Sequence, residues 1–485
     1  MSEALFLFLS QAAARTLGRA RAQQLRRSGR PAGEAHAGAA AAPGARQAAQ
    51  LAARRARRVR GRPAGGATCE ARAWSQQAAR RTRRSGRRVG RVWIWDFCGP
   101  LKFDVAGYTE GFPRLFYFKY SWTKVSNVIF LDAPVGTGFS YAREEAGYNV
   151  TLTGLGSRLH TFLRKWLAEH EEFASNPLYI GGDSYSGYTV PVTAIDIANN
   201  NGNHHEMRLN LQGYLVGNAA TDVRYEKGGK VPFLHGMGLI SEELYEAARQ
   251  GCGGDFYNMA ERSNARCANA LKAIDSVTSD INPVHILEPF CGLAVRDPGS
   301  SIFQGHGSEG MGRRSMLVRD NVEHPDFFAR RKLNLPVECR DNGYRLSYIW
   351  ADDTEVRAVL GIHDGSIGSW SRCRNLTHFR TDLDTVIPHH VNLTKAGYRA
   401  LVYNGDHDLD MTFVGTQAWI RSLKYPIVSD WRPWHSNGQV AGFTRTYAYN
   451  FTYATVKGAG HTAPEYKPKE CLDMLDRWMS PAGQL

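Results

Sequence analysis

The sequence of 485 residues lacks several features that mark common protein classes. No two of its eight cysteines form a Cys-x-x-Cys pair, which argues against a zinc site and against thioredoxin-like redox chemistry. No apolar run approaches the roughly 20 residues that a membrane-spanning helix needs. The sequence therefore predicts neither a membrane span nor a metal site of this type.

Lysine and acidic residues are nearly absent from residues 1–92. This segment holds 21 Arg, no Lys and three acids, a charge of +18, so the other 393 residues carry −4 of the total of +14. We predict that residues 1–92 are disordered, because an Ala/Arg/Gly/Pro-rich composition buries too little apolar surface to offset chain entropy. A nucleic-acid-binding arm is the alternative, but such arms interleave aromatic residues, and Trp74 is the only aromatic residue between Phe8 and Trp93. The slightly acidic remainder also argues against a nucleic-acid partner.

The N-terminus lacks a recognisable signal peptide. Its apolar run, residues 4–9, is short, and Glu3 stands where a secretory n-region needs a base. Two other features favour an oxidising, secretory compartment. Cys252 and Cys267 bracket a short polar loop suited to a disulfide. Four Asn-x-Thr sequons are also present, at Asn149, Asn375, Asn392 and Asn450.

From residue 93 onward, short apolar runs alternate with amphipathic segments. Residues 128–131 form an apolar run that ends at a Gly-rich loop, and residues 157–173 carry apolar side chains at helical spacing. This order predicts an α/β fold with a central, mostly parallel sheet and flanking helices. We assign residues 93–222 to its N-terminal part and residues 346–485 to its C-terminal part.

Residues 223–345 interrupt this alternation. After one good helix the segment is polar, Gly-rich and broken by two dibasic pairs, at 313–314 and 330–331. We interpret it as a helical lid insertion that carries a loop a protease can excise.

The stretch GGDSYSG, residues 181–187, fits a nucleophile elbow between a strand and a helix. An elbow strains the backbone of its central residue, here Ser184, and needs small neighbours two positions away, which Gly182 and Ser186 provide. The turn exposes the Ser184 hydroxyl and puts the Tyr185 amide at the helix N-terminus, where it can donate to an oxyanion. An ordinary Gly/Ser-rich loop is the alternative that these residues leave open.

A serine nucleophile needs a base and a group that orients the base. After Ser184 come NGDHDLD, residues 404–410, and GAGHTAP, residues 458–464, each just past an apolar run. His461 is the candidate base, because it lies in a Gly-flanked loop after the last predicted strand. Spacing does not choose the orienting carboxylate among three candidates: Asp406, Asp408 and Asp410.

Five motifs, in the right order along the chain, resemble those of the plant serine carboxypeptidase-like proteins: VIFLDAPVGTGFSYA, NPLYIGGDSYSG, LQGYLVGNAATD, YNGDHDLDMTFVGTQAWI and VKGAGHTAPEYKP. These are α/β-hydrolases of the serine carboxypeptidase family, and the resemblance runs from about Gly99 to the C-terminus. It implies Ser184 as nucleophile, Asp408 as orienter and His461 as base. It further implies no metal or organic cofactor.

The resemblance also implies a secreted or vacuolar glycoprotein with two disulfides. One joins Cys252 to Cys267, and the other joins Cys291 to Cys339 around the excisable loop. The family's GGPGCSS loop, which supplies a second oxyanion-hole amide, has no counterpart in this sequence. The strand expected beside that of Ser184 likewise has no evident source.

Two branches of the family differ at the elbow. The peptidases typically read Gly-Glu-Ser-Tyr-Ala-Gly, and their Glu helps to hold the substrate's terminal carboxylate. This chain has Asp183 and Ser186 instead, as in the branch that transfers acyl groups from 1-O-glucose esters. We expect Gly182 and Asp183 to contact substrate. Acyl transfer from a glucose ester to a small acceptor is the favoured activity, with two alternatives: a carboxypeptidase acting on peptide C-termini, or an impaired relic that lacks the glycine loop.

Overall fold

The computed structural model describes residues 3–10, 98–202, 207–258, 264–289, 340–372, 376 and 378–485. Its strands are β1 Glu3–Ser10, β2 Leu101–Phe103, β3 Leu115–Tyr117, β4 Ser126–Ala133, β5 Val150–Thr151, β6 Leu178–Asp183, β7 Leu211–Gly217, β8 Phe379–Arg380, β9 Arg399–Gly405, β10 Ile427–Ser436, β11 Gln439–Tyr447 and β12 Phe451–Val456. Its α-helices are α1 Leu152–Glu169, α2 Ser186–Asn200, α3 Val223–Gly228, α4 Lys230–Gly236, α5 Glu242–Gly251, α6 Ala265–Val277, α7 Asp341–Asp352, α8 Thr354–Leu360, α9 Ile387–Lys395, α10 Phe413–Ser422, α11 Ala463–Tyr466 and α12 Pro468–Met479.

Eight strands form the central sheet, in the order β10-β11-β12-β9-β7-β6-β1-β4. The pairs β6–β7, β7–β9 and β9–β12 are parallel, so the carboxyl ends of these four strands meet at one edge of the sheet. Such an edge is where ligands bind in open α/β sheets. The sheet is mostly parallel, as the sequence predicts.

Apolar cores lie on both faces of the sheet, because successive residues of a buried strand point to opposite sides. On one face Ile180 and Val402 pack with apolar residues of α1, α2, α9 and α10. On the other face Tyr179 and Leu401 pack with Trp434 and with residues of α12. The two layers of helices hold the strand ends, and therefore the loops that follow them, in fixed positions.

Strand β1 fills the place beside the Ser184 strand. It pairs antiparallel with both β6 and β4, and Leu7, Phe8 and Leu9 are at most 1% exposed. The prediction that all of residues 1–92 are disordered is therefore wrong for Glu3–Ser10. An apolar run of six residues is long enough for a buried strand.

The described residues of the predicted insertion are largely helical. Helices α4 to α6 contribute to an apolar cluster that includes Phe233, Ile274 and the two cysteines predicted to pair, Cys252 and Cys267. Helix α7 crosses the boundary predicted at residue 345. Both dibasic pairs lie outside the described residues.

Among the helices in the described ranges, none combines the length and apolar character needed to cross a bilayer. The longest, α1, has 18 residues, and buried residues such as Leu159 and Leu163 alternate with exposed ones. This is the pattern of a helix that covers one face of a sheet.

Candidate active site

Ser184 lies in a sharp turn between β6 and α2. Its φ is +60°, in the left-handed region that residues other than glycine rarely occupy. The turn is fixed on both sides, because Ser184 N donates to Gly217 O at 3.0 Å and Ser184 O accepts from Ala220 N at 2.9 Å. A Cβ on Gly187 would lie 2.1 Å from Ala220 O, so the turn needs glycine there. This is the strained geometry expected of a nucleophile elbow.

Three side chains predicted to act together form a chain of hydrogen bonds, with His461 between Ser184 and Asp408. His461 Nε2 is 2.7 Å from Ser184 Oγ, and His461 Nδ1 is 2.8 Å from Asp408 Oδ2. The Asp408 side chain is fully buried and that of His461 is 13% exposed. They come from the carboxyl ends of three parallel strands, β6, β9 and β12. This arrangement can pass a proton from a serine hydroxyl to an imidazole that a carboxylate orients.

The structure distinguishes the three acids that spacing left open. Asp406 Oδ1 accepts from Gly458 N at 2.7 Å, and Asp410 Oδ1 is 3.2 Å from Lys230 Nζ. Only Asp408, of the three, lies against His461 Nδ1. The local sequence could not show this, because each partner comes from a distant part of the chain.

Asn218 holds Asp408, a role that the sequence alone did not indicate. Asn218 Nδ2 donates to Asp408 Oδ2 at 2.7 Å, while the other oxygen accepts from Asp410 N at 2.8 Å and Met411 N at 3.1 Å. Asn218 has a φ of +43°, and its backbone N–H donates to Tyr403 O. Both carboxylate oxygens are thereby fixed. The only sequence signal was the position of Asn218 inside LQGYLVGNAATD, which shows a motif but no contact.

Charges around His461 shift its pKa. Burial lowers that pKa, but the Asp408 carboxylate raises it, with further contributions from Asp410 and Asp183, to about 9. The imidazolium is therefore the favoured form at neutral pH. At neutral pH, His461 must therefore lose a proton before it can act as a base.

Asp183 lies buried behind the elbow, where burial raises its pKa to about 7, against the opposing effects of the His461 charge and a Thr462 hydrogen bond. Its Oδ2 has no hydrogen-bond partner among the residues that the structure describes. Gly182 precedes it within β6, paired with Leu5 of β1 and Val216 of β7. Contact of either residue with substrate stays a prediction.

Tyr185 is the cap residue at the N-terminus of α2, so its amide lies at the positive end of the helix dipole. Its ring stacks on Tyr188, with centroids 5.4 Å apart, and meets Phe379 edge-on at 6.0 Å. The Tyr185 hydroxyl also bonds the hydroxyl of Thr381. These contacts hold Tyr185 in place. Donation of its backbone N–H to an oxyanion stays a prediction.

The Cys252–Cys267 disulfide is present, which confirms that prediction. Cys291, Cys339 and Cys373 lie outside the described residues. Of the sequon asparagines, Asn149, Asn392 and Asn450 are exposed, and Asn375 is outside the described residues. In the part of the chain that the structure covers, no cluster of His, Cys, Asp and Glu has the arrangement of a metal site.

Comparison with known proteins gives consistent results. The sequence model of the family described as Serine carboxypeptidase matches residues 98–481. The chain is 41% identical over 382 residues to "Serine carboxypeptidase-like 2" of Arabidopsis thaliana, covering 79% of this chain and 77% of that protein. It is 42% identical over 383 residues to "Serine carboxypeptidase-like 19" of the same plant, covering 79% of each.

A solved structure is similar in fold. The crystal structure of a prohormone-processing carboxypeptidase from Saccharomyces cerevisiae superposes with a TM-score of 0.56 over 79% of this chain and 78% of that one, at 19% identity. The fold is the predicted one, an α/β-hydrolase fold with a large, mostly parallel central sheet and flanking helices.

Proposed function

The chain belongs to the serine carboxypeptidase family, and we propose that within this family it is a serine-dependent acyltransferase that takes acyl groups from 1-O-glucose esters. The observation that carries the serine-dependent part is the placement of His461, 2.7 Å from the Ser184 hydroxyl and 2.8 Å from Asp408. The strained backbone of Ser184 supports the same assignment.

In the proposed reaction Ser184 Oγ attacks the ester carbonyl while His461 Nε2 accepts the hydroxyl proton. The Tyr185 amide donates to the resulting oxyanion. His461 then returns the proton to the departing glucose oxygen, and the acyl group remains on Ser184. An acceptor alcohol then gives its proton to His461 and attacks the acyl-enzyme. The new ester leaves, and His461 returns the proton to Ser184 Oγ.

The residues beside Ser184 support transfer over peptide hydrolysis. Asp183 is one methylene shorter than the glutamate typical of the peptidases, a difference large enough to move a contact out of hydrogen-bond reach. Asp183 is also buried, with a pKa near 7. A short, buried carboxyl is poorly placed to reach a free peptide carboxylate in the manner of the peptidases.

The test supplies 1-O-acyl glucose esters, with and without acceptor alcohols, and N-blocked dipeptides to the purified full chain. A Ser184→Ala variant serves as the control. We expect ester product only with the glucose donor and acceptor, and no product from the variant. Release of C-terminal amino acids from the dipeptides would instead assign the chain to the peptidases.

A second candidate, an impaired enzyme, follows from the missing glycine loop. Losing one oxyanion donor costs roughly 10² to 10³ in rate, and the strand in the corresponding place, β1, runs antiparallel to β6. Binding of the donor without turnover by the intact Ser184 protein would favour this candidate.

The proposal includes a secreted or vacuolar glycoprotein with small-molecule partners. The exposed sequon residues Asn149, Asn392 and Asn450 support it. A decrease in mass on endoglycosidase treatment of the protein from its native tissue is the expected result.

A further inference from the structure

A segment of the insertion crosses directly over the two loops that carry Asp408 and His461. We name this segment, residues 282–288, the strap. Pro283 O accepts from Leu409 N at 2.9 Å and from Asp410 N at 3.1 Å, and Val284 O accepts from His461 N at 2.6 Å. One peptide stretch therefore bonds the backbone on either side of the Asp408–His461 contact.

The strap acts where direct bonding between the two loops ends. At their bases the loops bond each other, with His407 N donating to Ala459 O at 2.8 Å. Farther out, Leu409, Asp410 and His461 bond the strap instead. The strap thus fixes the outer parts of both loops relative to each other.

The packing around the strap is tight. A Cβ on Gly460 would lie 2.2 Å from Val284 O and 2.7 Å from the His285 side chain. His285 is 6% exposed. Its ring stacks on His407, with centroids 5.6 Å apart, and lies at a tilt of 41° to Tyr466, with centroids 4.6 Å apart. Close packing of this kind transmits a displacement of the strap to its neighbours.

Both ends of the strap are anchored. At the first end, Asn282 Oδ1 accepts from Val284 N, and Asn282 Nδ2 donates to Pro289 O, each at 3.2 Å. At the other end, Arg340 Nε donates to Glu288 Oε1 and Oε2 at 3.0 and 2.9 Å.

Arg340 also reaches the segment that follows His461. Its guanidinium lies 4.1 Å from the centroid of the Tyr466 ring in α11. Nearby, the Tyr344 hydroxyl donates to Glu465 Oε1 at 2.6 Å. Arg340 therefore connects the strap to the far side of the His461 loop.

We propose that the strap positions the Asp408–His461 pair for proton transfer and that Arg340 is a positioning residue that anchors it. The inference rests on the proposed roles of Ser184, Asp408 and His461. The insertion is then part of the catalytic apparatus, and not only a cover over the site.

The pH dependence of the reaction distinguishes positioning from stability alone. His461 faces Ser184 and Asp183 from the elbow, and Asp408 and Asp410 from the loop after β9. A looser Asp408–His461 contact weakens the raising effect of Asp408, so the midpoint of the pH-rate profile moves to lower pH. The plateau rate falls too, because a misplaced base transfers the proton less well.

The experiment measures the rate of labelling by a fluorophosphonate probe as a function of pH, together with the melting temperature. It compares the full chain with Arg340→Gln, Glu288→Gln, their combination and Arg340→Lys. Arg249→Gln is the matched control, since Arg249 makes a similar pair with Glu246 on α5, away from the strap.

For Arg340→Gln we expect a plateau lowered by about 10-fold to 10²-fold and a midpoint moved to lower pH. The combined variant should be no slower than Arg340→Gln, Arg340→Lys should recover part of the rate, and Arg249→Gln should match the parent. A lower melting temperature with an unmoved midpoint and plateau overturns the proposal.

Proton NMR of the same variants distinguishes a failure of the strap proposal from a failure of the proposed function. The low-field Nδ1–H resonance of His461 reports its bond to Asp408 whether or not Ser184 reacts. If the parent does not label but Arg340→Gln shifts this resonance, the proposed function fails and the strap stands. If the parent labels and neither resonance nor midpoint moves, the strap fails and the proposed function stands.

Discussion

Replacing Asn218 by Asp, and separately by Gly, tests how the Asp408 carboxylate is held. Asn218 Nδ2 donates to Asp408 Oδ2 at 2.7 Å, and both residues are fully buried. The φ of Asn218 is +43°, a region that both Asp and Gly tolerate. Neither substitution therefore adds appreciable backbone strain, and the effects come from the side chain.

The two variants differ in magnitude and in pH dependence. Asn218→Gly loses a hydrogen bond to a charged group, a cost of about 1.5–3 kcal/mol, and also the weaker bond that Asn218 Oδ1 accepts from Gly405 N at 3.3 Å. Asn218→Asp puts two carboxyl groups in contact, so one must keep a proton. A pKa raised by about 3 units in such a pair costs about 4 kcal/mol at neutral pH.

The sign of the pH effect follows from the direction of this shift. A carboxyl whose pKa is raised in the folded state costs nothing below its unfolded value of about 3.9. The penalty grows as pH rises between the two pKa values and is complete above the raised one. The Asn218→Asp penalty should therefore grow from about pH 4 to about pH 7. The Asn218→Gly penalty should change little over that range.

Melting temperatures of the parent and both variants at about pH 5 and about pH 8 are the assay. We expect Asn218→Asp to be the less stable variant at the higher pH, with the gap closing or reversing at the lower one. Equal losses for the two variants at both pH values would refute this reasoning.

Four further predictions concern the site and its surroundings. Because only neutral imidazole accepts the serine proton and the pKa of His461 is about 9, labelling should rise with pH to a half-maximum near pH 9; a profile flat above pH 7 contradicts this. Gly187→Ala, whose Cβ would lie 2.1 Å from a carbonyl oxygen, should slow labelling on the order of 10²-fold. Gly236→Ala, with nothing within 4 Å, should instead stabilise by about 0.4–1 kcal/mol in urea unfolding. Breaking the Cys252–Cys267 disulfide, which spans 15 residues, should cost about 3 kcal/mol in the same assay, and unchanged unfolding would contradict it.

The strained turn at Ser184 was predictable because its requirements involve only residues close to it in the sequence. A strained serine needs small neighbours within a few positions, and GGDSYSG shows them directly. The choice among Asp406, Asp408 and Asp410 was not local. It depends on Lys230, Gly458 and His461, which the fold brings to the loop from elsewhere in the chain.

Strand β1 shows a second limit of sequence reasoning. Six apolar residues in an Arg-rich, Ala-rich context have no partner that the sequence identifies, and composition predicted disorder for the whole segment. The sheet supplies the missing information, because β4 and β6 flank an open position that Glu3–Ser10 occupies. Burial between two strands outweighs the composition of the neighbouring segment.

The strap was missed for a different reason. Its contacts with the Asp408 and His461 loops run through the carbonyls of Pro283 and Val284, and every residue has a carbonyl. The sequence of an irregular segment therefore does not show which loops its backbone contacts. Its anchors, Asn282 and the Glu288–Arg340 pair, and the packed ring of His285 do depend on side-chain identity.

The central claim is that Ser184 is a nucleophile activated by His461. Labelling of the purified full chain with a fluorophosphonate probe, beside a Ser184→Ala variant of equal melting temperature, tests it most directly. The account predicts stoichiometric labelling of the parent at Ser184 and none of the variant. A folded parent that does not label, or a variant that labels equally, would contradict it.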